Sequence, residues 1–266
     1  MKAYYINLAR RTDRRAAIDA QLEQLGVDAE RIEAILAADL PADLRQLYLP
    51  NGQHQRLSVQ EFCVGVSHLD AYRRFLSGPD AYALILEDDI VLSSRLPQFL
   101  AAFEAAPDGI DLLRIETFGT PAQISTRPRG TLGGFAFHSL HGWAWGAAAY
   151  IISRRAAQAM LDDRRALDEV IDRVIYRPHS TIMGPIRIRQ LVPALGMQQD
   201  RIPGPMFGIG SDITPTRQQR AKEGQTPSVT QAIATFIEQE LRIALPSSLH
   251  RLVGLSSKRD IAFSPD

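Results

Sequence analysis

Cysteine is nearly absent from this sequence, since Cys63 is the only one among 266 residues. A single cysteine excludes a disulfide within the chain and a zinc site built from cysteines. Long apolar runs are absent as well, and no stretch approaches the roughly 20 residues of a membrane-spanning helix. The first residues, MKAYYINLARR, are too few and too polar for a signal peptide. We therefore expect a soluble protein, or at most one peripheral to a membrane.

An excess of charge of one sign is also missing. The chain has 30 Lys and Arg residues against 30 Asp and Glu residues, and its pI is near 7.0. A nucleic-acid-binding domain is usually strongly basic, so we expect no nucleic-acid partner. The sequence also has no HExxH, no Walker loop, no GxGxxG and no Ser-His-Asp order. The enzyme classes that these motifs mark are therefore not indicated.

The order of the predicted elements is typical of an α/β fold. Residues 2–8 have the composition of a strand, and residues 31–36 give a second one. Between them, Thr12 and Asp13 are placed to cap a helix that stops at Gly26. A β-α-β opening of this kind is the usual start of an α/β domain.

Capping signals and apolar runs predict the later elements. Ser58 and Glu61 form a capping-box pattern that opens a helix reaching about Leu76. Residues 81–86 are a short apolar strand, suited to the middle of a sheet that is covered on both faces. The other predicted elements are helices at 96–105, 154–161 and 168–176, strands at 111–115, 144–152 and 186–191, and a surface loop at 117–134.

The pattern of predicted elements changes near residue 215. We predict a main domain at 1–214 and a short helical C-terminal appendage at 215–266. Residues 228–245 carry apolar side chains at helical spacing, with basic residues on both sides. Three interpretations stay open: this helix packs against the main domain, contacts an anionic membrane surface, or forms a partner interface.

Residues 83–92 read ALILEDDIVL, a buried strand that runs straight into three carboxylates. Open α/β sheets bind ligands at the carboxyl ends of their strands. If the extended conformation persists, alternation sends Glu87 and Asp89 to one side and Asp88 to the other. Two carboxylates on one side repel each other unless a cation lies between them, and Mn²⁺ or Mg²⁺ suits such oxygen ligands. The alternative is an exposed acidic turn that caps the next helix.

The first strand ends in a cluster of basic residues. INLARRTDRR places Asn7 and four arginines at the strand end and on the first helical turn. A helix N-terminus attracts phosphate, and arginine adds forked donors beside it. The same cluster is also compatible with a solvated basic face on a surface helix.

Other candidates each have a structural alternative. His68 lies beside Ser67 within a predicted helix. A single histidine in such a position more often has a structural role than a ligand-binding one. Trp143 and Trp145 lie between glycines and suggest a flat surface on which sugars or bases stack, or else core packing.

Taken in order, these stretches resemble the family 25 glycosyltransferases of the lipooligosaccharide-biosynthesis type. The resembling segments are YYINLARRTDRR, QEFCVGVSHLDAYRRF, ALILEDDIVL, WGAAAYIISRRAAQAML and, more loosely, VPALGMQQD and the SDI at 211–213. One departure is visible. The family helix usually reads E-x-G-C-x-x-S-H, whereas this chain has EFCVGVSH, so the small residue is displaced.

The resemblance implies a GT-A-type fold, a Rossmann-like mixed sheet flanked by helices that binds a nucleotide-diphosphate sugar. Its DxD-like metal motif falls on the acidic triplet, with Asp89 as the main ligand of Mn²⁺ or Mg²⁺ and Glu87 assisting. Family members transfer galactose or a related hexose from a UDP-sugar to a glycan or lipid-linked glycan acceptor such as lipooligosaccharide, usually with inversion. We expect a cytoplasmic location, with peripheral contact at the inner membrane face through the C-terminal helix as one interpretation. The residues placed to bind nucleotide are Asn7, Arg11, Arg14, Ser67, His68 and Asp88.

Inversion needs a carboxylate that takes the proton of the acceptor hydroxyl. We nominate Asp172 for this role, with Asp168 and Glu116 as rivals. A non-catalytic carbohydrate- or nucleotide-binding module on the same fold is the alternative function, and the displaced small residue is what favours it. A metal-dependent hydrolase ranks last because no nucleophile motif is present.

Overall fold

A computed structural model describes residues 1–48, 57–105, 109–176, 182, 186–202 and 245–266. Most strands in these residues belong to one large sheet, and the rest form two small ones. The strands are β1 (Lys2–Asn7), β2 (Ala29–Glu33), β3 (Tyr82–Glu87), β4 (Ile90–Leu92), β5 (Leu112–Arg114), β6 (Glu116–Thr117), β7 (Ala122–Ser125), β8 (Gly130–Leu132), β9 (Phe135–Ser139), β10 (Ala149–Ser153), β11 (Ile188–Val192), β12 (Gly196–Gln198) and β13 (Ser256–Arg259).

Helices flank the large sheet. They are α1 (Thr12–Leu25), α2 (Ala42–Tyr48), α3 (Val59–Leu76), α4 (Leu96–Ala105), α5 (Arg154–Asp162), α6 (Ile171–Tyr176) and α7 (Leu245–Leu252). Short 3-10 helices lie at Ala37–Asp39, Arg164–Leu167 and Gln199–Arg201. No helix in the described ranges is both apolar enough and long enough to cross a bilayer.

The large sheet has eight strands in the order β2-β1-β3-β10-β5-β11-β9-β8. β1 runs parallel to both β2 and β3, whereas β10 is antiparallel to β3. The pairing of Ile6 with Glu87 places the carboxyl ends of β1 and β3 side by side. The predicted mixed α/β sheet flanked by helices is therefore confirmed, and the acidic triplet lies at a strand end as expected.

β3 is buried on both faces, as its continuous apolar run predicted. Ala83 and Ile85 belong to the core on the side of α3, α5 and α6. Leu84 and Leu86 belong to the core on the side of α1 and α4. All four side chains are 0% exposed, so the strand is anchored from both layers and its last residues have a fixed position.

The α3 capping box is confirmed. The Ser58 hydroxyl accepts a hydrogen bond from the Glu61 amide at 3.1 Å, and the Glu61 carboxylate accepts one from the Ser58 amide at 2.8 Å. Gly26 ends α1 in the left-handed conformation with φ 64°, as predicted. Thr12 and Asp13 do not cap α1 but lie in its first turn, and Arg11 is the N-cap residue without a side-chain cap bond.

Several predicted segments differ from the structure. The strand expected at 144–152 is Ala149–Ser153, and the strand expected at 31–36 is Ala29–Glu33. The loop expected at 117–134 contains β7 and β8, because β7 pairs with the distant β13 and β8 pairs with β9. The helix expected from 168 begins at Ile171, since a 3-10 helix and a bend precede it.

The C-terminal segment is described only in part. The predicted helix at 228–245 and the domain boundary at 214 lie outside the described residues, apart from Leu245, with which α7 begins. Residues 256–259 form a strand on β7, and Ala194 bridges to Phe263. The described end of the chain therefore packs on the main domain, and it is not helical throughout.

Candidate active site

Two cavities meet at the carboxyl end of β3. The first has a volume of about 200 Å³ and lies between the end of β1, the loop after β2 and α3. The second has a volume of about 120 Å³ and lies toward α6 and the residues after β12. Val64, Glu87 and Asp89 line both cavities, whereas Asp88 lines only the first. The triplet therefore stands on the wall between two adjoining spaces.

Asp88 fastens the ends of β1, β3 and α1 together. One carboxylate oxygen accepts a hydrogen bond from the Asn7 amide at 2.7 Å, and the other accepts from the Arg14 guanidinium at 2.8 Å. Arg31 holds Asn7 in turn, at 3.0 Å from its amide oxygen. Burial raises the pKa of Asp88 although Arg14 and Asn7 favour its charged form. The predicted binding residues Asn7, Arg14 and Asp88 are thus one connected group.

Asp89 is the most electrostatically strained member of the triplet. Burial and the negative charge of Glu87 raise the pKa of Asp89 to about 7, against the attraction of Arg14 at 3.3 Å. Gln198 donates to Asp89 at 3.4 Å from the end of β12. A pair of half-buried carboxylates that repel each other is stabilised when a cation binds between them.

The donor set fits a cation of a particular kind. In the described part of the chain, no three or more histidine, cysteine or acidic side chains are grouped to hold a metal ion. Glu87 and Asp89 supply two carboxylates at one cavity wall. Mg²⁺-like ions are usually held by one or two carboxylates together with substrate phosphates rather than in a closed protein cage. The residues present therefore fit a cation shared with a diphosphate.

His68 supports Glu87 from within the core. Its side chain is fully buried, with Nε2 at 3.3 Å from Glu87 Oε1 and Nδ1 at 2.8 Å from the hydroxyl of Tyr150. The Tyr150 and Tyr72 hydroxyls are 2.5 Å apart and continue the chain of polar contacts. His68 therefore orients a carboxylate of the site.

Ser67 fastens the loop after β2. Its hydroxyl accepts a hydrogen bond from the Ile35 amide at 3.0 Å and donates to the Cys63 carbonyl at 2.8 Å. Ser67 and His68 both line the first cavity, so their predicted place beside a nucleotide fits their position, but their described contacts are to protein.

The basic cluster divides between the cavity and the surface. Arg10 and Arg14 line the first cavity, whereas Arg11 is not part of that lining. Arg11 forms an ion pair with Asp13 at 3.0 Å, and this contact lowers the pKa of Asp13 to about 2. The position of Arg10 makes it a better candidate for nucleotide contact than Arg11, which the sequence favoured.

Of the three candidates for general base, only Asp172 lines the second cavity. Its Oδ2 accepts a hydrogen bond from the Gly146 amide at 3.1 Å. Glu116 is fully buried, accepts from the Ala148 amide at 2.8 Å, and has its pKa raised to about 8 by burial. Asp168 is exposed at the end of a 3-10 helix.

The sequence does not single out several residues of the second cavity as site residues, although Gln198 lies in the resembling segment VPALGMQQD. Phe118, Gln198 and Arg201 line it together with Trp145. Gln198 reaches the site because β12 pairs with β4 and sets it opposite Ile90. That pairing joins residues about a hundred positions apart, so periodicity does not reveal it.

Comparison with known proteins decides the family. The sequence profile of Glycosyltransferase family 25 (LPS biosynthesis protein) matches residues 1–175, which is well over half of the chain. The chain belongs to glycosyltransferase family 25. The resemblance found in the motifs is thereby confirmed, and the match includes the triplet and Asp172.

Curated relatives are 25–31% identical to this chain over the aligned residues. The lacto-N-neotetraose biosynthesis glycosyltransferase LgtB of Neisseria gonorrhoeae is 31% identical over 172 residues, covering 61% of this chain and 60% of that protein. The lipooligosaccharide biosynthesis protein lic2B of Haemophilus influenzae is 26% identical, with coverage of 59% and 61%. LgtE of Neisseria meningitidis serogroup B is 25% identical and covers 86% of both chains. This family 25 chain thus spans about 60% of the first of these relatives.

Among solved structures, a glycosyltransferase involved in the glycosylation of the major capsid of PBCV-1 aligns with 77% of this chain and 95% of its own. Its TM-score is 0.43 and its sequence identity is 11%.

Proposed function

We propose that this family 25 protein is a glycosyltransferase that moves a hexose, such as galactose, from a UDP-sugar to a glycan acceptor of the lipopolysaccharide or lipooligosaccharide class. The observation that carries the proposal is the wall of Glu87 and Asp89 between two adjoining cavities. A transferase of this type needs two sites, one on each side of the donor's diphosphate. One site binds the nucleotide and the other binds the acceptor. The second cavity contains Asp172, a carboxylate suited to accept a proton.

The first cavity is the proposed nucleotide site of a GT-A-type fold. Its walls combine apolar side chains such as Ile6 and Ile35 with the guanidinium groups of Arg10 and Arg14. An apolar cleft with a few placed polar groups is typical of small-molecule sites. Arginine donors suit a diphosphate, because they bind its oxygens by charge and in a fork.

Mn²⁺ or Mg²⁺ is the proposed cofactor, with Asp89 as its main ligand and Glu87 assisting. When bound, such an ion neutralises the charge that develops on the leaving UDP. Arg14 lies 3.3 Å from Asp89 and adds positive charge on the same side. These groups would stabilise charge where it forms during the reaction.

Asp172 is the proposed general base of an inverting transfer. The acceptor oxygen forms a bond to the anomeric carbon as the bond from that carbon to the UDP oxygen breaks, and the hydroxyl proton passes to Asp172. The Gly146 amide holds one Asp172 oxygen at 3.1 Å. This contact orients the carboxylate in the second cavity.

The test is a panel of UDP-hexoses with MnCl₂ and a truncated lipooligosaccharide acceptor, read as UDP release and as the mass of the product. We expect one UDP-sugar to be turned over and the turnover to stop with EDTA. A folded protein that binds UDP and Mn²⁺ by calorimetry, yet neither transfers nor hydrolyses any donor, would instead support the non-catalytic module. A protein that binds no UDP under these conditions contradicts both.

The described end of the chain supports the membrane contact that the basic residues suggested. Four large apolar side chains there are more than half exposed, and basic residues lie beside them. Apolar and basic side chains presented together suit an anionic membrane, where a lipid-linked acceptor would be found. The apolar residues are Leu249, Leu252, Val253 and Leu255, and the exposed basic ones include Arg251 and Lys258.

We expect the double variant Arg251→Gln/Lys258→Gln to bind anionic vesicles about 30-fold less tightly, since each basic residue near such a surface contributes about 1 kcal/mol. The measurement is co-sedimentation with phosphatidylglycerol-containing vesicles. Arg73→Gln/Arg165→Gln, which makes the same change in net charge at exposed positions elsewhere, is the matched control. Equal loss in both variants, or no binding by wild type, would contradict this contact.

A further inference from the structure

An aromatic wall forms the side of the second cavity away from the nucleotide site. Phe118 and Trp145 both line this cavity, with ring centroids 6.5 Å apart and planes inclined by 29°. Trp143 packs edge-on against Trp145 at 4.9 Å. Trp145 is nevertheless 39% exposed, whereas most large apolar side chains in the described main domain are buried. An exposed aromatic ring in a cavity wall points to a ligand.

Three buried side chains from separate elements hold the backbone of this wall. Arg114 donates to the Trp145 carbonyl. Asp172 accepts from the Gly146 amide at 3.1 Å, and Glu116 accepts from the Ala148 amide at 2.8 Å. The peptide group between Trp145 and Gly146 is thus held on both sides, by Arg114 of β5 and Asp172 of α6, and the one between Ala147 and Ala148 is held by Glu116 of β6. The exposed ring of Trp145 is therefore presented on a rigid backbone, and binding it does not require ordering of a loop.

Two of the aromatic rings each have an arginine guanidinium stacked over them. The Arg201 guanidinium lies 4.0 Å from the centroid of Phe118, and that of Arg173 lies 4.2 Å from the centroid of Trp143. These contacts fix both ends of the wall and leave Trp145 between them. Gly146 permits the close fit, with φ 85° and a Cβ position that would lie 3.0 Å from Phe118.

We propose that Trp145 and Phe118 form an acceptor-sugar subsite, on which a hexopyranose ring of the acceptor stacks by its C–H face. Such a face carries weakly positive hydrogens, and these are attracted to the negative face of an aromatic ring. A sugar stacked there lies in the same cavity as Asp172, with Asp200 and Arg201 at the rim to bind its hydroxyls. The inference rests on the proposed function, because it assigns the acceptor half of that site.

The chain offers a direct probe, because Trp143 and Trp145 are its only two tryptophans. In Trp143→Phe the emission comes from Trp145 alone. We expect methyl β-galactopyranoside or methyl β-glucopyranoside to shift this emission saturably in the presence of UDP and Mg²⁺, whereas UDP and Mg²⁺ without sugar leave it unchanged. Emission that responds to UDP alone would place the uracil ring of UDP on this wall and overturn the proposal. An absence of response to both sugars would also overturn it.

Kinetics give the second arm. Trp145→Ala should raise the acceptor KM about tenfold, equivalent to ~1.4 kcal/mol, while the UDP affinity and the rate of donor hydrolysis stay at the wild-type level. Trp145→Phe should restore most of the acceptor affinity, and Gln158→Ala, at an exposed position of α5 outside both cavities, should behave as wild type. An unchanged acceptor KM in Trp145→Ala would overturn the subsite with the transferase intact. A wild type without donor turnover would overturn the proposed function itself.

Discussion

Replacing Asp89 with asparagine should weaken Mn²⁺-dependent UDP binding by about 100-fold or more, because the substitution removes the charge of the proposed main ligand. Asparagine has nearly the same shape and can still accept the hydrogen bond from Gln198, which lies 3.4 Å from Asp89. The fold should therefore be retained. The measurement is calorimetric titration of UDP with and without MnCl₂, and Asp70→Asn, on the exposed side of α3, is the control.

The pH dependence of stability and of Mn²⁺ binding, compared between wild type and Asp89→Asn, shows the effect of the Asp89 charge. The folded-state pKa of Asp89 is about 7, above the ordinary value of 3.8. Between these values the folded protein binds more protons than the unfolded chain, so the contribution of Asp89 to stability is lost as the pH rises toward 7. Wild type should therefore lose more stability than Asp89→Asn between pH 5 and pH 8 in urea unfolding. Because a cation needs the carboxylate, Mn²⁺ binding by wild type should tighten about tenfold per pH unit up to about 7.

Two results would contradict the assignment of Asp89. One is UDP binding that depends on Mn²⁺ and survives the substitution. The other is a loss of UDP binding that is equally large with EDTA present, because a metal ligand matters only when the metal is there.

The placement of the triplet was predictable from the sequence because local signals agreed. An apolar strand, a capping box and the parallel β-α-β opening each depend on neighbouring residues, and together they put the carboxylates at a sheet edge. The buried pattern of β3 then follows from its composition. The position of Asn7 beside Asp88 does not follow from the sequence, because it depends on the pairing and register of β1 with β3.

The contacts within the site were not predictable, because they join distant residues. His68 meets Tyr150, which lies 82 positions away, and Asp89 meets Gln198, which lies 109 away. The choice between Arg10 and Arg11 depends on how the chain turns before α1. Neither periodicity nor composition reports such a turn. The pKa of Asp89 is likewise a consequence of three-dimensional burial and not of spacing.

The displaced small residue of α3 has a structural explanation. A Cβ on Gly65 would lie 3.2 Å from the Leu167 side chain, so glycine allows the 3-10 helix at 164–167 to approach α3 closely. Cys63 lines the first cavity instead. The departure from the family pattern therefore places the small residue on the side of α3 that faces the 3-10 helix at 164–167. Glu87 and Asp89 still stand between the two cavities. This weakens the case for the non-catalytic module, which the departure had favoured.

Replacing Asp172 with asparagine should lower kcat by about 1,000-fold with little change in UDP affinity, since a general base contributes about 10²–10⁴-fold. Asparagine can still accept the hydrogen bond from the Gly146 amide, so the backbone of the aromatic wall should keep its position. Transfer is measured under saturating donor, and calorimetry checks UDP binding. Asp168→Asn, four residues earlier and exposed, is the matched control and should retain wild-type kcat.

A substitution at Glu116 tests whether Asp172 or Glu116 is the proton acceptor. Glu116 is fully buried, and burial raises its pKa to about 8, so its protonated form is favoured at pH 7 and it is a poor proton acceptor there. Glu116→Gln should therefore keep kcat within a few fold of wild type at pH 7. A base at Asp172 predicts that the order of loss is Asp172→Asn far above Glu116→Gln. The reverse order would move the proton acceptor to β6, where it would have to act from behind Gly146, since a Cβ on that glycine would lie 3.1 Å from Glu116 Oε2.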